Sequence, residues 1–235
     1  MKAIYRVSVS IICLLAVISC GGQLATTEEP LEQQLLVDES RLVIDNLMAD
    51  PNMGWFRRHI KEARGIIIVP NLYKGAWFLG GSGGRGVTLV RDGESGEWSG
   101  PAFNTMGSLS FGLQFGGERS EMVVLAMTQK GRDSLYSTSV KIGGDVSGAI
   151  GPIGATAQAA TAPSLNVDYI SYARSQGAFV GVSLDGAVIK ENYDWNKIYY
   201  GKAVKPVGIL VSREVANPNA EKLRANLSKA QRQGQ

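Results

Sequence analysis

The spacing of apolar residues changes near Gly65, and this change is the strongest constraint on the fold. Before that glycine, residues 31–48 and 55–64 carry apolar side chains at helical spacing, with charged residues between them. After it, short apolar runs are bounded by glycine, proline and aspartate, which is typical of strands and turns. The sequence therefore predicts two helices followed by a β-sheet.

Several segments downstream have strand patterns, and two more have helical patterns. The predicted strands are residues 66–69, 76–79, 86–90, 109–115, 122–127, 140–150, 169–172, 178–189 and 207–211. The predicted helices are residues 192–200 and 218–232, the latter anchored by Leu223 and Leu227. Strands and helices do not alternate regularly, so the pattern argues against a Rossmann-type sheet. We expect a single α+β domain with a largely antiparallel β-sheet or barrel-like core and helices at both ends.

The first residues have the features of an export signal. Lys2 and Arg6 precede an apolar run over residues 7–18 that is too short for a comfortable membrane span. The run leads into the residues VISC, which resemble the bacterial lipobox, a motif whose cysteine is lipidated and becomes the new N-terminus. The resemblance predicts a signal peptide over residues 1–19 and a lipid anchor at Cys20. The alternative is an ordinary signal with a chance cysteine.

Processing at this cysteine changes the charge balance. The whole chain has 24 basic and 21 acidic residues, and loss of Lys2 and Arg6 leaves a nearly neutral protein. Such a chain gives no argument for nucleic-acid binding. Residues 20–30 are polar and are interpreted as a tether to a domain over residues 31–235 with a C-terminal helical tail. Gly21 resembles an outer-membrane sorting signal, so we expect an exported bacterial lipoprotein anchored in the outer membrane and facing the periplasm.

The glycine-rich run at residues 80–86 matches two catalytic motifs, and the surrounding sequence supports neither. It fits the dinucleotide pattern GxGxxG, but a strand pattern follows where that motif needs a helix. It also fits GxSxG around Ser82, but the only histidine, His59, lies upstream of this serine. We interpret the run as a glycine-rich bend between two strands. With one histidine and two cysteines, the chain lacks the ligands for a two-histidine metal site or a zinc cluster.

A basic segment with aromatic residues follows the first predicted helix. This combination is typical of a helix at a membrane interface, where each Lys or Arg near an anionic surface contributes ~1 kcal/mol. The alternative is a helix that packs on the sheet with its charges solvated. The candidate lipid-binding residues, which include two cations in the predicted loops that follow, are Trp55, Phe56, Arg57, Arg58, Lys61, Arg64, Lys74 and Arg85.

Several motifs occur in the order found in the lipid-binding SYLF domain, also called the Ysc-type actin-binding domain. They are ARGIIIVP at 63–70, the glycine run at 80–86, WSGPAF at 98–103, GGDV at 143–146, GPIG at 151–154, YISYARSQG at 169–177, GVSLDG at 181–186 and YYG at 199–201. The chain therefore resembles this family from about residue 31 to about residue 211. The resemblance implies phospholipid binding through the N-terminal part of the domain and brings no established catalytic residue.

These patterns lead to a specific expectation about function. We expect a non-enzymatic envelope lipoprotein whose SYLF-like domain binds anionic phospholipid headgroups, with no metal or cofactor. The alternative is an envelope scaffold that binds a protein or peptidoglycan partner and contacts the membrane only through its lipid anchor. An enzyme is a third hypothesis, which rests only on the abundance of aspartate and serine.

Overall fold

The computed structural model describes residues 31–76, 80–110, 116–153, 167–175, 178–180, 184 and 186–233. These residues belong to one compact unit, Leu31–Gln235, which has the α+β architecture that the sequence predicts. The predicted signal peptide, the predicted tether and Cys20 lie outside the described residues. In the part of the chain that is described, no helix is both long enough and apolar enough to cross a membrane.

Helices begin and end the described part of the chain, and shorter ones connect the strands. They are α1 (Glu32–Ala49), α2 (Gly54–His59), α3 (Gln129–Ser134), α4 (Tyr193–Tyr200), α5 (Pro206–Leu210) and α6 (Glu221–Gln233). In α1, buried residues such as Val37 and Ile44 recur at helical spacing, and the helix ends shortly before Pro51, whose ring disfavours a helical residue in front of it. In α6, the predicted anchors Leu223 and Leu227 are buried.

Nine strands of the described residues form one sheet. They are β1 (Gly65–Ala76), β2 (Gly80–Val90), β3 (Ala102–Ser110), β4 (Gly116–Ala126), β5 (Ser139–Lys141), β6 (Gly148–Ile150), β7 (Tyr169–Ser175), β8 (Ala178–Val180) and β9 (Val188–Glu191). The order across the sheet is β5-β9-β3-β2-β1-β4-β7-β6, and β8 pairs with β7. Only the β6–β7 pair is parallel among these pairings, which confirms the largely antiparallel sheet.

The central strand β1 is apolar on both faces because both faces are covered. Ile66 and Ile68 pack in a cluster with residues of α1, α2 and α6, and we call this side the helical face. Ile67 and Val69 pack in a second cluster on the other side, which we call the concave face. Residues of β5, β9 and α5 belong to the second cluster, so the sheet curves around it as a half-barrel.

Helices α1 and α6 lie side by side on the helical face and run in the same direction. Near the start of both, the Gln34 side chain donates a hydrogen bond to the carbonyl of Asn219 at 3.4 Å. Farther along, Asn226 donates to the Asp45 carboxylate at 2.9 Å and to the carbonyl of Arg41 at 3.2 Å. Both helices therefore end toward the edge of the sheet where β1 begins.

The glycine-rich run is not a bend, as predicted, but the first half of β2, paired with β1 and β3. A bulge in the middle of β1 brings the two backbones unusually close. A Cβ on Gly84 would lie 2.5 Å from the carbonyl oxygen of Asn71, and one on Gly86 would lie 2.5 Å from that of Ile68. Glycine is therefore required at these positions by the approach of a neighbouring strand rather than by a turn.

Three other element predictions need correction. Residues 207–210 lie in the helix α5, and Val211 caps it, where a last strand was predicted over residues 207–211, because Pro206 in the first turn has a φ suited to a helix. Gly116 and Gly117, a glycine pair whose sequence favours a turn, instead pair with β1 as part of β4. The helix predicted over residues 55–64 ends at His59, and residues 111–115 of a predicted strand lie outside the described residues.

Candidate functional site

The aromatic pair of the basic segment lies in the core. Trp55 is 3% exposed and Phe56 is 0% exposed. Phe56 packs edge-on against Tyr172 with ring centroids 5.2 Å apart, and Trp55 stacks on His59 at 3.4 Å. Trp55 and Phe56, two of the candidate lipid-binding residues, are therefore not exposed for contact with a membrane in this fold. The physical reason is that α2 has only six residues and turns its apolar side toward the sheet.

Arg57 is engaged in the fold rather than free for a ligand. Its guanidinium donates hydrogen bonds to the backbone carbonyls of Met48 at 3.3 Å and Pro51 at 3.4 Å, and also to that of Asp50. These carbonyls lie at and just beyond the end of α1, where backbone acceptors lack partners within the helix. A cation at this position also opposes the partial negative charge of the helix end. Arg57 therefore ties α2 to the end of α1.

Three cations meet at the edge of the sheet where β1 begins, and we call Lys61, Arg64 and Arg91 the basic cluster. The Arg91 guanidinium donates to the carbonyl of Lys61 at 2.6 Å, and the backbone N–H of Arg91 donates to the carbonyl of Arg64 at 2.9 Å. Lys61 and Arg64 are exposed, as is Arg58 one turn earlier. Pairing at the start of β1 thus fixes the backbones of Arg64 and Arg91, and the Arg91 side chain links Lys61 to them.

The basic cluster lacks carboxylate partners among the described residues. The ion pairs found among the described residues all involve cations other than Lys61, Arg64 and Arg91. Burial lowers the pKa of the Arg91 guanidinium, and the positive charge of Arg64 lowers it further. Arginine remains protonated in proteins despite such a shift, so Arg64 and Arg91 are like charges that repel each other. An anion bound among them would relieve that repulsion.

A polar groove of about 590 Å³ adjoins the basic cluster. Lys61 and Arg232, from the end of α6, line this groove together with two acidic residues, Glu62 and Glu97. Glu97 is already paired with Arg213 at 3.3 Å, which offsets part of its charge. The groove therefore adds one further cation, Arg232, beside Lys61 of the basic cluster.

The loop beside this groove is held in one conformation by its own side chains. Asp92 accepts hydrogen bonds from the backbone N–H groups of Ser95 at 2.7 Å and Glu94 at 3.0 Å, and from the Ser95 hydroxyl at 2.9 Å. These bonds, first the one from the Ser95 backbone, lower the pKa of Asp92. Gly96 follows with φ of 72°, a conformation that favours glycine. The rim of the groove is thus preorganised.

The last two predicted cations lie on strands rather than in loops, and on opposite faces of the sheet. Lys74 follows Tyr73 on β1 and belongs to the concave face by strand alternation, whereas Arg85 shares the helical face with Val87. The Arg85 guanidinium lies over the ring of Trp195, 4.6 Å from its centroid. Arg85 lies beside the first half of α1, and the basic cluster lies beyond its end. An 18-residue helix is about 27 Å long, so the two positions are well separated.

Sequence reasoning missed Arg91 and Arg232. Arg91 lies outside the basic segment, and only the antiparallel register of β1 with β2, which pairs Gly65 with Val90, brings it to Arg64. Arg232 reaches the groove because α6 runs alongside α1. Neither the register of β1 with β2 nor the direction of α6 is indicated by a local sequence pattern. Among the described residues, no group of His, Cys, Asp and Glu is arranged to hold a metal ion.

Comparison with known proteins identifies relatives over most of the domain. The profile of the Ysc84 family, described as Las17-binding protein actin regulators, matches residues 107–230. An SH3 domain-containing protein of Schizosaccharomyces pombe is 30% identical over 164 residues, which cover 68% of this chain and 37% of that protein. Protein YSC84 of Saccharomyces cerevisiae is 30% identical over 167 residues, which cover 70% of this chain and 35% of the yeast protein.

A human relative extends the same pattern. The SH3 domain-containing YSC84-like protein 1 is 26% identical over 165 residues, which cover 70% of this chain and 48% of the human protein. The chain thus spans between about a third and about a half of the curated relatives it matches. The family profile covers more than half of the chain, and the motifs of the sequence are those of the same domain. The chain therefore belongs to the Ysc84 family, whose shared domain is the SYLF domain.

Proposed function

We propose that this chain is a non-enzymatic, membrane-associated protein whose SYLF domain binds anionic phospholipid headgroups through the basic cluster. The observation that carries the proposal is the crowding of Lys61, Arg64 and Arg91 without a carboxylate partner among the described residues. Crowded cations favour a bound anion, because the anion replaces repulsion by attraction. A phosphate is the anion that every anionic phospholipid presents.

The proposed contact is electrostatic and does not depend on inserted aromatic rings. Each Lys or Arg near an anionic membrane contributes ~1 kcal/mol. Three such residues contribute about 3 kcal/mol, which corresponds to about a hundredfold in affinity. Because exposed charges are screened over about 10 Å at 0.1 M salt, we expect the affinity to fall steeply as salt is added.

The lipid anchor expected at Cys20 completes the proposal. Acyl chains contribute about 0.8 kcal/mol per buried CH₂ and would hold the chain at the membrane without help from the domain. A short tether then keeps the basic cluster at an effective headgroup concentration in the millimolar range, roughly. Weak headgroup binding is enough under these conditions to orient the domain on the membrane. We place the anchored domain on the periplasmic face of the outer membrane.

Vesicle sedimentation tests the proposal. The chain carries Cys20→Ser, so that no acyl group contributes, and is mixed with vesicles of phosphatidylcholine alone or with phosphatidylglycerol added. The test variant changes Lys61 and Arg64 of the basic cluster, and the neighbouring exposed Arg58, to Ala. Arg57 and Arg91 are left intact because their guanidinium groups bind backbone carbonyls of the fold. The matched control removes the same charge from exposed lysines elsewhere: Lys141, Lys190 and Lys202.

The expected result is binding to anionic vesicles alone, reduced about a hundredfold in the test variant. The control variant should lose much less affinity. Equal recovery with neutral and anionic vesicles, or equal losses in both variants, would refute the basic cluster as the headgroup site. A protein partner is the competing occupant, since one yeast relative is named for binding Las17. A single protein cross-linked at position 61 in cells, in place of lipid, would favour that alternative.

A further inference from the structure

A second groove lies at the opposite end of α1 and has a different character. Its volume is about 520 Å³, within the range of small-molecule sites. Its walls include Leu35 and Leu36 of α1, Tyr73 of β1 and Trp195 of α4. Leu35 is 47% exposed and Tyr73 is 58% exposed, although both are large apolar side chains on regular elements. Nothing in the proposed headgroup site uses these residues.

The floor of this apolar groove is bare backbone. Tyr73 of β1 pairs with Gly83 of β2, and Gly83 pairs with Gly107 of β3, so two glycines lie side by side across the strands. A Cβ on Gly83 would meet only the Met106 carbonyl oxygen at 3.7 Å, and one on Gly107 only the Ser82 carbonyl oxygen at 3.8 Å. Packing does not require glycine at either position. The missing side chains leave open space that a ligand fits.

The charged residues that line the groove are one cation, Arg85, and two carboxylates, Glu32 and Glu39. Glu39 accepts a hydrogen bond from the Asn71 side chain at 2.8 Å, and Asn71 accepts one from Arg119 at 2.6 Å, so this carboxylate is already engaged. Glu32, in the first turn of α1, is solvent-exposed. Arg85 makes no ion pair with a carboxylate among the described residues, and its guanidinium is held over Trp195. The groove therefore combines an apolar trough with one oriented, uncompensated cation.

We propose that this groove binds a free amphipathic carboxylate, with its apolar chain along the glycine floor and its carboxylate on Arg85. Leucine and aromatic walls contact the chain, and the guanidinium donates hydrogen bonds to the carboxylate oxygens. The site is independent of the headgroup proposal because it lies at the other end of α1 and shares no residue with the basic cluster. Its occupant is a single dissolved molecule rather than a membrane surface.

Titration calorimetry with two probes of equal chain length tests this inference. Dodecanoate and dodecylammonium, both below their micelle-forming concentrations, are titrated into the full chain carrying Cys20→Ser. We expect dodecanoate to bind at least about tenfold more tightly, because a hydrogen-bonded charge pair with Arg85 forms only with the anion. Arg85→Gln should lower the dodecanoate affinity by about tenfold without lowering the dodecylammonium affinity.

A variant whose side chain fills the groove provides a second, independent test. Gly83→Leu should lower the affinity for both probes by at least about tenfold, since its side chain occupies the trough. Gly93→Leu is the matched control, because nothing lies within 4 Å of a Cβ at that exposed turn. The thermal midpoint of each variant shows whether it folds. If Gly83→Leu does not fold, the comparison of the two probes in Arg85→Gln still tests whether Arg85 binds the carboxylate.

Three results would overturn the inference. They are the absence of saturable dodecanoate binding, tighter binding of dodecylammonium, and equal losses in Gly83→Leu and Gly93→Leu. Alanine at Arg58, Lys61 and Arg64 should leave dodecanoate affinity unchanged; loss of affinity in that variant would assign the signal to the basic cluster. Membrane binding and dodecanoate binding can thus fail separately.

Discussion

Two adjacent glycines of β2 should differ strongly in how much stability the protein loses when each is changed to alanine. The Cβ of Gly84→Ala would lie 2.5 Å from the Asn71 carbonyl oxygen and 2.8 Å from Cγ1 of Val69. The Cβ of Gly83→Ala points to the other face, where the nearest atom, the Met106 carbonyl oxygen, lies at 3.7 Å. The first contact is far inside van der Waals distance, and the second is ordinary.

The loss of stability in Gly84→Ala depends on which atoms must move to relieve the contact. A carbonyl oxygen at 2.5 Å belongs to the backbone of β1, which is paired on both sides, so relief requires a shift of the bulge rather than a new rotamer. Overpacking of this kind costs about 1–3 kcal/mol, and backbone on one side of the contact puts Gly84→Ala near the upper end. For a domain of about 200 residues, about 3 kcal/mol lowers the thermal midpoint by about 6–12 °C. Gly83→Ala should stay within about 0.5 kcal/mol of the unchanged protein.

The assay is urea denaturation and thermal melting of both variants, followed by circular dichroism and by tryptophan fluorescence. Coincident transitions with the two probes justify a two-state treatment. The decisive quantity is the difference in free energy of unfolding between the two alanine variants. A difference below about 0.5 kcal/mol, within the range of ordinary surface substitutions, would refute the close approach of β1 and β2 at the bulge.

Three further outcomes follow from single side chains. Burial raises the pKa of Asp168, but hydrogen bonds from Thr128 and Ser147 outweigh this and lower it, so the carboxylate stabilises the fold above about pH 4. The difference in thermal midpoint between the unchanged chain and Asp168→Asn should therefore be largest at neutral pH and shrink as the pH falls through the lowered pKa. Arg57→Ala should cost about 1.5–3 kcal/mol in urea denaturation, because several backbone carbonyls lose a charged donor. Phe56→Ala should lower the free energy of unfolding by about 3–5 kcal/mol and leave the vesicle affinity of the folded protein unchanged. A loss of vesicle affinity in the folded variant would instead indicate that the ring is inserted in lipid.

The sequence predicts the fold where the determining pattern is local. The long helical pattern of residues 31–48 became α1, and the tail helix buried the two leucines chosen as its anchors. Residues 192–200 became α4, with Asn192 as the cap whose side chain accepts from Trp195. In each case, apolar spacing and terminal residues within one segment are enough to predict the element.

The predictions that were wrong depend on distant parts of the chain. Whether Gly84 belongs to a bend or a strand depends on a bulge in another strand. The short helix α2 has the composition of an interfacial helix, but its aromatic side packs against Tyr172, which lies more than 100 residues away. For α5, the β-branched residues Val207 and Val211 favour a strand, whereas Pro206 favours the first turn of a helix.

The candidate site could be predicted only in part, because its residues come from distant parts of the chain. Lys61 and Arg64 were identified from the local density of cations, and the structure brings them together. Arg91 joins them through strand pairing and Arg232 through helix packing, so no sequence window contains the group. Lys74 and Arg85 were predicted in loops that follow the basic segment, but both lie on strands, and strand alternation places them on opposite faces.

The shared direction of α1 and α6 has an electrostatic consequence. The backbone dipoles of antiparallel helices largely cancel, whereas those of two parallel neighbours add. The partial negative charges of both C-termini lie toward the edge of the sheet where the cations crowd. There they offset part of the repulsion among the basic side chains. The domain is thus polarised along its helices, and reversing α6 would remove a counter-charge for the cations without changing the net charge of the protein.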